Sequence, residues 1–206
     1  LAAEMTGAAA EAHDVWAKAR EENDYALFLP HLERAVELKR RYIACFDGYD
    51  EPYDVLLDDF EPGMKTAEVR AVFDDLKAEL VPLIAEIGSV DGDDAFMSGP
   101  WPVEAQHAYS LEIIRRFGFD ESFARLDTTV HPFAASSGTQ DIRLTTRYAE
   151  DDITSIFTAM HECGHGLYEH GVSPTLERTP LCQGVSSALH ESQSRLWENI
   201  VGRSRE

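Results

Sequence analysis

Apolar residues recur at intervals of three and four along most of this chain, which is the spacing that places them on one face of a helix. The pattern predicts helices over residues 2–20, 27–46, 66–87 and 103–117. Clusters of glycine and proline separate these segments, because neither residue is favoured inside a helix. A small sheet is predicted near residues 128–148, where the stretch 139–148 alternates polar and apolar residues in the manner of an edge strand. The fold class is therefore predicted to be mainly α.

A further helix is predicted between an acidic run at residues 150–152 and Gly171. Acidic side chains favour a helix N-terminus, because they accept hydrogen bonds from its free N–H groups and interact favourably with its dipole. Gly171 directly follows His170, which is typical of a helix C-terminus. Between these ends the helical period is kept by Ile153, Ile156, Phe157, Met160, Gly164, Leu167 and Tyr168.

Two histidines, His161 and His165, flank this apolar stripe. Their four-residue separation places both imidazoles on one helix face, one turn apart. A buried histidine is costly unless it is hydrogen-bonded or bound to a metal. Zinc accepts neutral imidazole nitrogen, and Glu162 directly follows the first histidine, where its carboxylate can take a proton from a metal-activated water. The helix therefore predicts a metal site with a catalytic carboxylate.

A zinc site needs a third protein ligand, and a catalytic site leaves the fourth position for water. The segment 185–200 has helical spacing and follows a loop with prolines and a glycine, so it can fold back against the first helix as an antiparallel partner. Its Glu191 is the preferred third ligand. On spacing alone, His190, Glu177 and Glu198 remain open as candidates.

Four short motifs follow one another along the chain: His-Pro-Phe at 131–133, Asp-x-Arg-x-Thr at 141–145, His-Glu-x-x-His at 161–165 and His-Glu-Ser-Gln at 190–193. In this order and spacing they resemble the motifs of the M32 metallocarboxypeptidases, the carboxypeptidase Taq group. The resemblance covers nearly the whole chain and implies a helical, gluzincin-like metallopeptidase fold with a small β-sheet near the active site. It implies that His161, His165 and Glu191 bind the metal. Glu162 is then the general acid/base.

The same resemblance places a strand beside the substrate cleft, where an extended peptide can add to a sheet edge through its backbone. His131 is a candidate substrate contact, because the following proline holds its backbone extended and leaves the imidazole as a hydrogen-bond donor in the cleft. Arg143 is a candidate for holding the substrate carboxylate. Ion pairs of Arg143 with Asp141 or Glu150 are the competing interpretation.

The predicted function is the removal of C-terminal residues from peptides by a zinc-dependent metallocarboxypeptidase. Two imidazoles and a carboxylate suit zinc first, and cobalt or manganese after it. The sequence leaves open which acid orients the histidines by accepting a hydrogen bond from the ring nitrogen that does not bind the metal. Asp141, Glu169 and Glu198 are the candidates. A metalloendopeptidase is one competing function, because the motif helix does not encode cleavage at a chain end. A catalytically inert metal-binding fragment is another.

The inert fragment is considered because family members are much longer and carry two further motifs, Ile-Arg-x-x-Ala-Asp and Gly-x-x-Gln-Asp-x-His-Trp, beyond the His-Glu-Ser-Gln helix. This chain contains neither, and it begins at Leu1 without an initiator methionine. We therefore expect an internal piece of a longer enzyme. At this length residues 1–206 can bury a core and form a single domain.

Charge and cysteine content restrict the partners and the compartment. The chain has 18 Lys and Arg against 38 Asp and Glu, a formal net charge of −20. This charge repels nucleic-acid phosphate and anionic lipid, so neither is an expected partner. Three cysteines without paired spacing argue against a disulfide framework, and no apolar run is long enough to span a membrane, so a cytoplasmic protein is expected. Cys163 is expected to point away from His161. The family resemblance further implies a homodimer.

Overall fold

The computed structural model of the chain describes residues 1–89, 92, 95 and 98–205. It divides into two compact units, Leu1–Ile87 and Gly88–Glu206. The expectation of a single domain over residues 1–206 stays a prediction. Within the described residues, no helix combines the length and the apolar character needed to cross a bilayer.

The first unit contains four helices: α1 (Ala2–Glu21), α2 (Tyr25–Ile43), α3 (Pro52–Asp58) and α4 (Thr66–Gly88). The three long helices predicted here are confirmed, with ends that differ by about three residues or fewer. The short helix α3 was not predicted from the apolar period, because seven residues hold too few turns to show it.

Side-chain hydrogen bonds fix the helix ends of this unit. Asp24 accepts from the backbone N–H of Ala26 at 3.0 Å and so caps the start of α2. Asp54 on α3 is only 5% exposed. Its Oδ1 accepts from the backbone N–H of Thr66 at 2.8 Å and from the Thr66 hydroxyl at 2.6 Å, and its Oδ2 accepts from the N–H of Glu51 at 3.2 Å. One buried carboxylate therefore connects the starts of α3 and α4.

The second unit combines helices with a three-stranded sheet: α5 (Val103–Phe117), β1 (Ala124–Thr128), β2 (Ala134–Gly138), β3 (Asp141–Thr146), α6 (Thr154–His170) and α7 (Ser187–Arg195). A 3₁₀ turn at Pro174–Leu176 precedes α7, and the π-helix Leu196–Val201 directly extends it. The predicted bounds of α5 are confirmed, and α6 ends before Gly171 as expected. Its start follows Asp152, whose carboxylate accepts from the N–H of Thr154 at 2.7 Å. The mainly α fold with a small sheet is confirmed.

The sheet differs from the prediction in one respect. Its order is β1-β3-β2, so β3 lies in the middle, parallel to β1 and antiparallel to β2. The prediction of an edge strand over residues 139–148 is therefore wrong. Alternation of polar and apolar residues shows which face of a strand is covered, and it carries no information on whether the strand has one neighbour or two.

The core of the second unit lies between the sheet, α5 and α6. Its buried residues are Ile114, Phe119, Ala124, Ile142, Leu144, Ala159 and Cys163. Cys163 is 1% exposed, which agrees with the expectation that it points away from the histidines, and burial raises the pKa of its thiol to about 12. All three cysteines are free thiols. One face of α6 is therefore packed in the core, and the two histidines lie on a different face of the same helix.

Candidate metal centre

Three side chains of α6 and α7 bring one donor atom each to a common point. His161 Nε2 lies 3.2 Å from His165 Nε2. Oε2 of Glu191 lies 3.3 Å from His165 Nε2 and 3.6 Å from His161 Nε2. Within the part of the chain that the structure describes, this is the one group of His, Cys, Asp or Glu side chains close enough to share a metal ion. We call these three atoms the donor triangle.

The donor triangle has the size of a tetrahedral metal site. Zinc binds imidazole nitrogen and carboxylate oxygen at about 2.0–2.2 Å, which separates neighbouring ligand atoms of a tetrahedron by about 3.3–3.6 Å. The observed separations of 3.2, 3.3 and 3.6 Å agree with that range. The chemistry of the donors also fits, because imidazole nitrogens favour a transition-metal ion over magnesium or calcium.

The contact between α6 and α7 brings Glu191 to the histidines. The backbone of α7 passes directly over Gly164, where α6 has no side chain to keep it away. Ser186 caps the start of α7 by accepting from the backbone N–H of Leu189 at 3.2 Å. The start of α7 is therefore fixed one helical turn before the ligand candidate.

A largely buried carboxylate, that of Glu198, lies behind His161. Nδ1 of His161 lies 2.9 Å from Oε2 of Glu198, and since a carboxylate only accepts, Nδ1 carries the hydrogen and Nε2 keeps its lone pair for the donor triangle. The Glu198 side chain is 12% exposed, and Arg195 and Arg203 each donate to one of its oxygens at 3.0 Å. Burial alone raises the pKa of Glu198, but the hydrogen bonds from His161 and Arg203 outweigh burial and lower it.

His190 and Glu177, which the spacing also allowed as third ligands, lie outside the donor triangle. His190 meets Nδ1 of His165, the nitrogen that faces away from the donor triangle, at 2.5 Å. Glu177 accepts from the backbone N–H and the hydroxyl of Thr139 at 2.7 and 2.6 Å. Among the candidates, Glu191 is the one whose carboxylate lies near both Nε2 atoms, and its role as a metal ligand stays a prediction.

Glu162 lies in a strongly perturbed environment. It is 7% exposed, and its pKa is raised to about 7, first by burial and then by the negative charges of Glu191 and Glu198. A carboxyl group with this pKa is present in both protonation states near neutral pH. Such a group is suited to accept a proton and to release it again.

His165 is kept neutral by its surroundings. Burial, followed by the nearby His190 and His161, lowers its pKa to about 4. A metal ion competes with the proton for imidazole nitrogen, so a neutral ring is the form that binds. The pKa of His165 is therefore suited to metal binding at neutral pH.

The two residues predicted to contact substrate lie around the sheet. His131 is exposed in the loop between β1 and β2. Arg143 on β3 pairs with Asp141 through two contacts, Nε to Oδ1 at 2.5 Å and Nη2 to Oδ2 at 3.2 Å. The ion pair considered as the competing interpretation for Arg143 is thus present, and Asp141 is engaged there. The substrate roles of His131 and Arg143 stay predictions.

Two features of the site were missed by the sequence analysis. Gly164 was interpreted only as a position of the apolar stripe, although a glycine inside a helix can signal close backbone approach. Glu169 was a candidate for orienting the histidines, but its contact with His190, 2.7 Å from Nε2 to Oε1, was not foreseen. No pattern in the chain could have revealed that contact, because the two residues lie on different helices and meet only after α6 and α7 pack.

Known proteins are similar to this chain in both sequence and fold. The family model described as Carboxypeptidase Taq (M32) metallopeptidase matches residues 1–206. Carboxypeptidase 1 of Bacillus subtilis is 39% identical over 198 residues, which is 95% of this chain and 40% of that protein. Thermostable carboxypeptidase 1 of Thermus thermophilus is 41% identical over 216 residues, which is 99% of this chain and 42% of that protein. The BsuCP crystal structure matches with a TM-score of 0.94 at 38% identity, covering 98% of this chain and 41% of that chain.

A mainly helical fold with two histidines and a carboxylate in a metal-sized triangle is typical of metallopeptidases. This chain belongs to the M32 family of metallopeptidases, the carboxypeptidase Taq family. The family implies a divalent metal ion. The chain spans about two fifths of the length of the curated relatives it matches, 40% of one and 42% of another.

Proposed function

We propose that this protein is a zinc-dependent metallocarboxypeptidase that removes C-terminal residues from peptides. The observation that carries the proposal is the donor triangle of His161, His165 and Glu191, with Glu162 buried on the same helix. Two imidazoles and one carboxylate suit zinc, with cobalt or manganese as weaker candidates. The relatives are named carboxypeptidases, which supports cleavage at a chain end.

In the proposed mechanism, three side chains bind the metal ion and a fourth transfers the proton. His161, His165 and Glu191 would hold the ion, which when bound supplies a Lewis acid for the scissile carbonyl and for a water molecule. Glu162 removes a proton from the attacking water. The same carboxyl group then delivers the proton to the leaving amine nitrogen. The proposed substrate is a peptide, because this mechanism cleaves an amide bond.

Two competing functions remain as outcomes of the test. A metalloendopeptidase would use the same helix to cut inside a peptide. An inert metal-binding fragment is favoured by the coverage of only 40% of a relative and by the exposure of the Glu191 side chain, 44%, because a catalytic site needs a supporting shell. A homodimer and a cytoplasmic location stay predictions.

Metal binding is tested first, by titration of Zn²⁺ into the purified chain in competition with a chelating dye. His165→Ala and Glu191→Ala are expected to abolish the one-to-one site. Glu177→Ala is the matched control, because it removes a carboxylate that contacts Thr139 and lies outside the donor triangle. Equal zinc binding by the wild type and Glu191→Ala would reject Glu191 as a ligand.

Cleavage is tested second, with zinc-loaded protein and two peptides that differ only in a free or an amidated C-terminus. Loss of single residues from the free peptide alone, read by mass spectrometry, supports the carboxypeptidase. Internal cuts in both peptides support an endopeptidase. Bound zinc without any cut supports the inert fragment.

A further inference from the structure

Two successive side-chain contacts connect Nδ1 of His165, the nitrogen outside the donor triangle, to Glu169. Nδ1 of His165 lies 2.5 Å from Nδ1 of His190, and Nε2 of His190 lies 2.7 Å from Oε1 of Glu169. The three side chains are largely buried, with exposures of 16% for His165, 26% for His190 and 15% for Glu169. The contacts thus connect the donor triangle to a shielded carboxylate on the next turn of α6.

The positions of the hydrogens in these two contacts follow from which groups can donate and which can only accept. The Glu169 carboxylate only accepts, so the hydrogen between it and His190 belongs to Nε2 of the imidazole. A neutral His190 then has a lone pair at Nδ1, which can only accept. The hydrogen between the two rings therefore belongs to Nδ1 of His165. Nε2 of His165 is left with a lone pair, and this is the atom that faces Glu191 at 3.3 Å.

The ring of His190 is held so that it cannot easily turn out of these two contacts. Gly184 packs against it so closely that a Cβ at position 184 would overlap His190 Cδ2. The backbone N–H of Gly184 also donates to Oε1 of Glu169 at 3.0 Å, which fixes the carboxylate. On another side, Tyr168 meets the ring of His190 edge to face at 5.2 Å between centroids.

We propose that His190 and Glu169 form a positioning relay that holds His165 as its Nδ1–H tautomer and aims the Nε2 lone pair into the donor triangle. The arrangement parallels the direct contact of Glu198 with His161, with one imidazole inserted between ligand and carboxylate. The role of the relay in metal binding rests on the proposed function, whereas the tautomer is a property of the metal-free protein. Neither His190 nor Glu169 contributes an atom to the donor triangle, so both would act through His165.

The tautomer is measured first, on the metal-free wild-type chain. Two-dimensional nitrogen–proton NMR of the imidazole side chains at about pH 8, where histidine is mostly neutral, distinguishes the two tautomers. The relay predicts a hydrogen on Nδ1 of His165 and on Nε2 of His190. A hydrogen on Nε2 of His165 would overturn the proposal, whether or not the chain binds zinc.

Variants of His190 give the second measurement, the dissociation constant for Zn²⁺. His190→Leu removes both nitrogens at similar volume and is expected to weaken zinc binding about 10–100-fold. His190→Asn supplies an amide oxygen that can accept from Nδ1 of His165, so it is expected to recover most of the affinity. His170→Leu is the matched control, because it removes a half-buried histidine at the end of α6 that contacts the backbone oxygen of Thr139 and lies outside the relay.

A merely structural role of His190 predicts a different result. Leu and Asn would then weaken zinc binding in proportion to the loss of melting temperature, and the Nδ1–H form of His165 would persist in His190→Leu. Either observation rejects the relay. If the wild type shows the Nδ1–H form of His165 but binds no zinc, the proposed metal site fails while the relay stands.

A double-mutant cycle separates a relay from two independent contacts. Glu169→Met removes the carboxylate, and in a serial relay it should weaken zinc binding in the wild type but add almost nothing in His190→Leu. Additive losses would show that Glu169 acts on the site by another route and would overturn its place in the relay.

Discussion

Gly164 of α6 and Gln193 of α7 lie backbone against backbone. A Cβ at position 164 would be 2.7 Å from the carbonyl oxygen of Gln193 and 2.7 Å from the Cα of Ser194. Backbone atoms of a packed helix cannot swing aside as the end of a long side chain can. The two helices therefore reach this separation only because residue 164 has no side chain, and the same separation brings Glu191 to the histidines.

We expect Gly164→Ala to push α7 away from α6. The overpacking should lower the free energy of unfolding by about 1–3 kcal/mol, and zinc binding should weaken because Glu191 moves with α7. Urea unfolding and zinc titration measure the two effects. Gly166→Ala is the control for overpacking itself, because a Cβ there would press on Ile142 Cγ2 and Leu144 Cδ2 at 2.8 Å, in the core and not on α7, so it should lower stability and leave zinc affinity nearly unchanged. Wild-type zinc affinity in Gly164→Ala would contradict the argument.

Glu162→Gln is expected to separate metal binding from catalysis. The amide keeps the size of the side chain but cannot take a proton from water, so turnover should fall by at least about 10²–10⁴-fold. Zinc affinity should stay close to that of the wild type, since Glu162 contributes no atom to the donor triangle. The comparison uses zinc-loaded wild type and variant on the same free-ended peptide. Retained turnover in the variant would remove Glu162 from the chemistry.

Glu198→Leu tests the carboxylate behind His161. Without an acceptor for its Nδ1, the ring of His161 loses its preferred tautomer and orientation, and zinc affinity should fall about 10–100-fold. Glu177→Leu removes a carboxylate that contacts Thr139 and should leave zinc affinity nearly unchanged. Both dissociation constants come from the same dye competition. Similar values for the two variants would show that Glu198 does not act on the site.

Asp54 predicts a pH dependence for the stability of the first unit. The Thr66 hydroxyl and backbone N–H hold the pKa of its carboxyl well below the usual range. A carboxyl with a lower pKa in the folded than in the unfolded chain stabilises the fold above the unfolded value of about 3.9, and this contribution is lost as the pH falls further. Asp54→Asn should therefore lower the melting temperature at neutral pH, and the difference from wild type should shrink below about pH 4.

The control for Asp54 is Asp74→Asn on α4. Asp74 is exposed, pairs with the exposed Lys77 at 3.5 Å and interacts with the charge of the exposed Arg70, so its loss should leave the melting temperature nearly unchanged. The measurement is thermal unfolding of the three proteins over a series of pH values. A difference between wild type and Asp54→Asn that stays constant down to acidic pH would contradict the assignment.

The long helices and the paired histidines were predictable because their signals are local. The apolar period reports one face of a helix over consecutive turns, and the bounds of α5 followed from it to the residue. His161 and His165 share a face for the same reason, since four residues make about one turn. The edge-strand prediction for residues 139–148 failed because strand order depends on partners far along the chain.

The sequence by itself determined the helical segments, the two histidines with Glu162 between them, and the family to which the motifs belong. The spacing left both Glu191 and its neighbour His190 open, since they are about 100° apart on α7, and only the tertiary structure shows which of the two lies beside both Nε2 atoms. It directed Glu191 into the donor triangle and His190 to the far side of His165. The reason is physical: which side chain of α7 faces the histidines depends on how the helix is rotated and how closely it packs at Gly164, and both are properties of the contact between two helices.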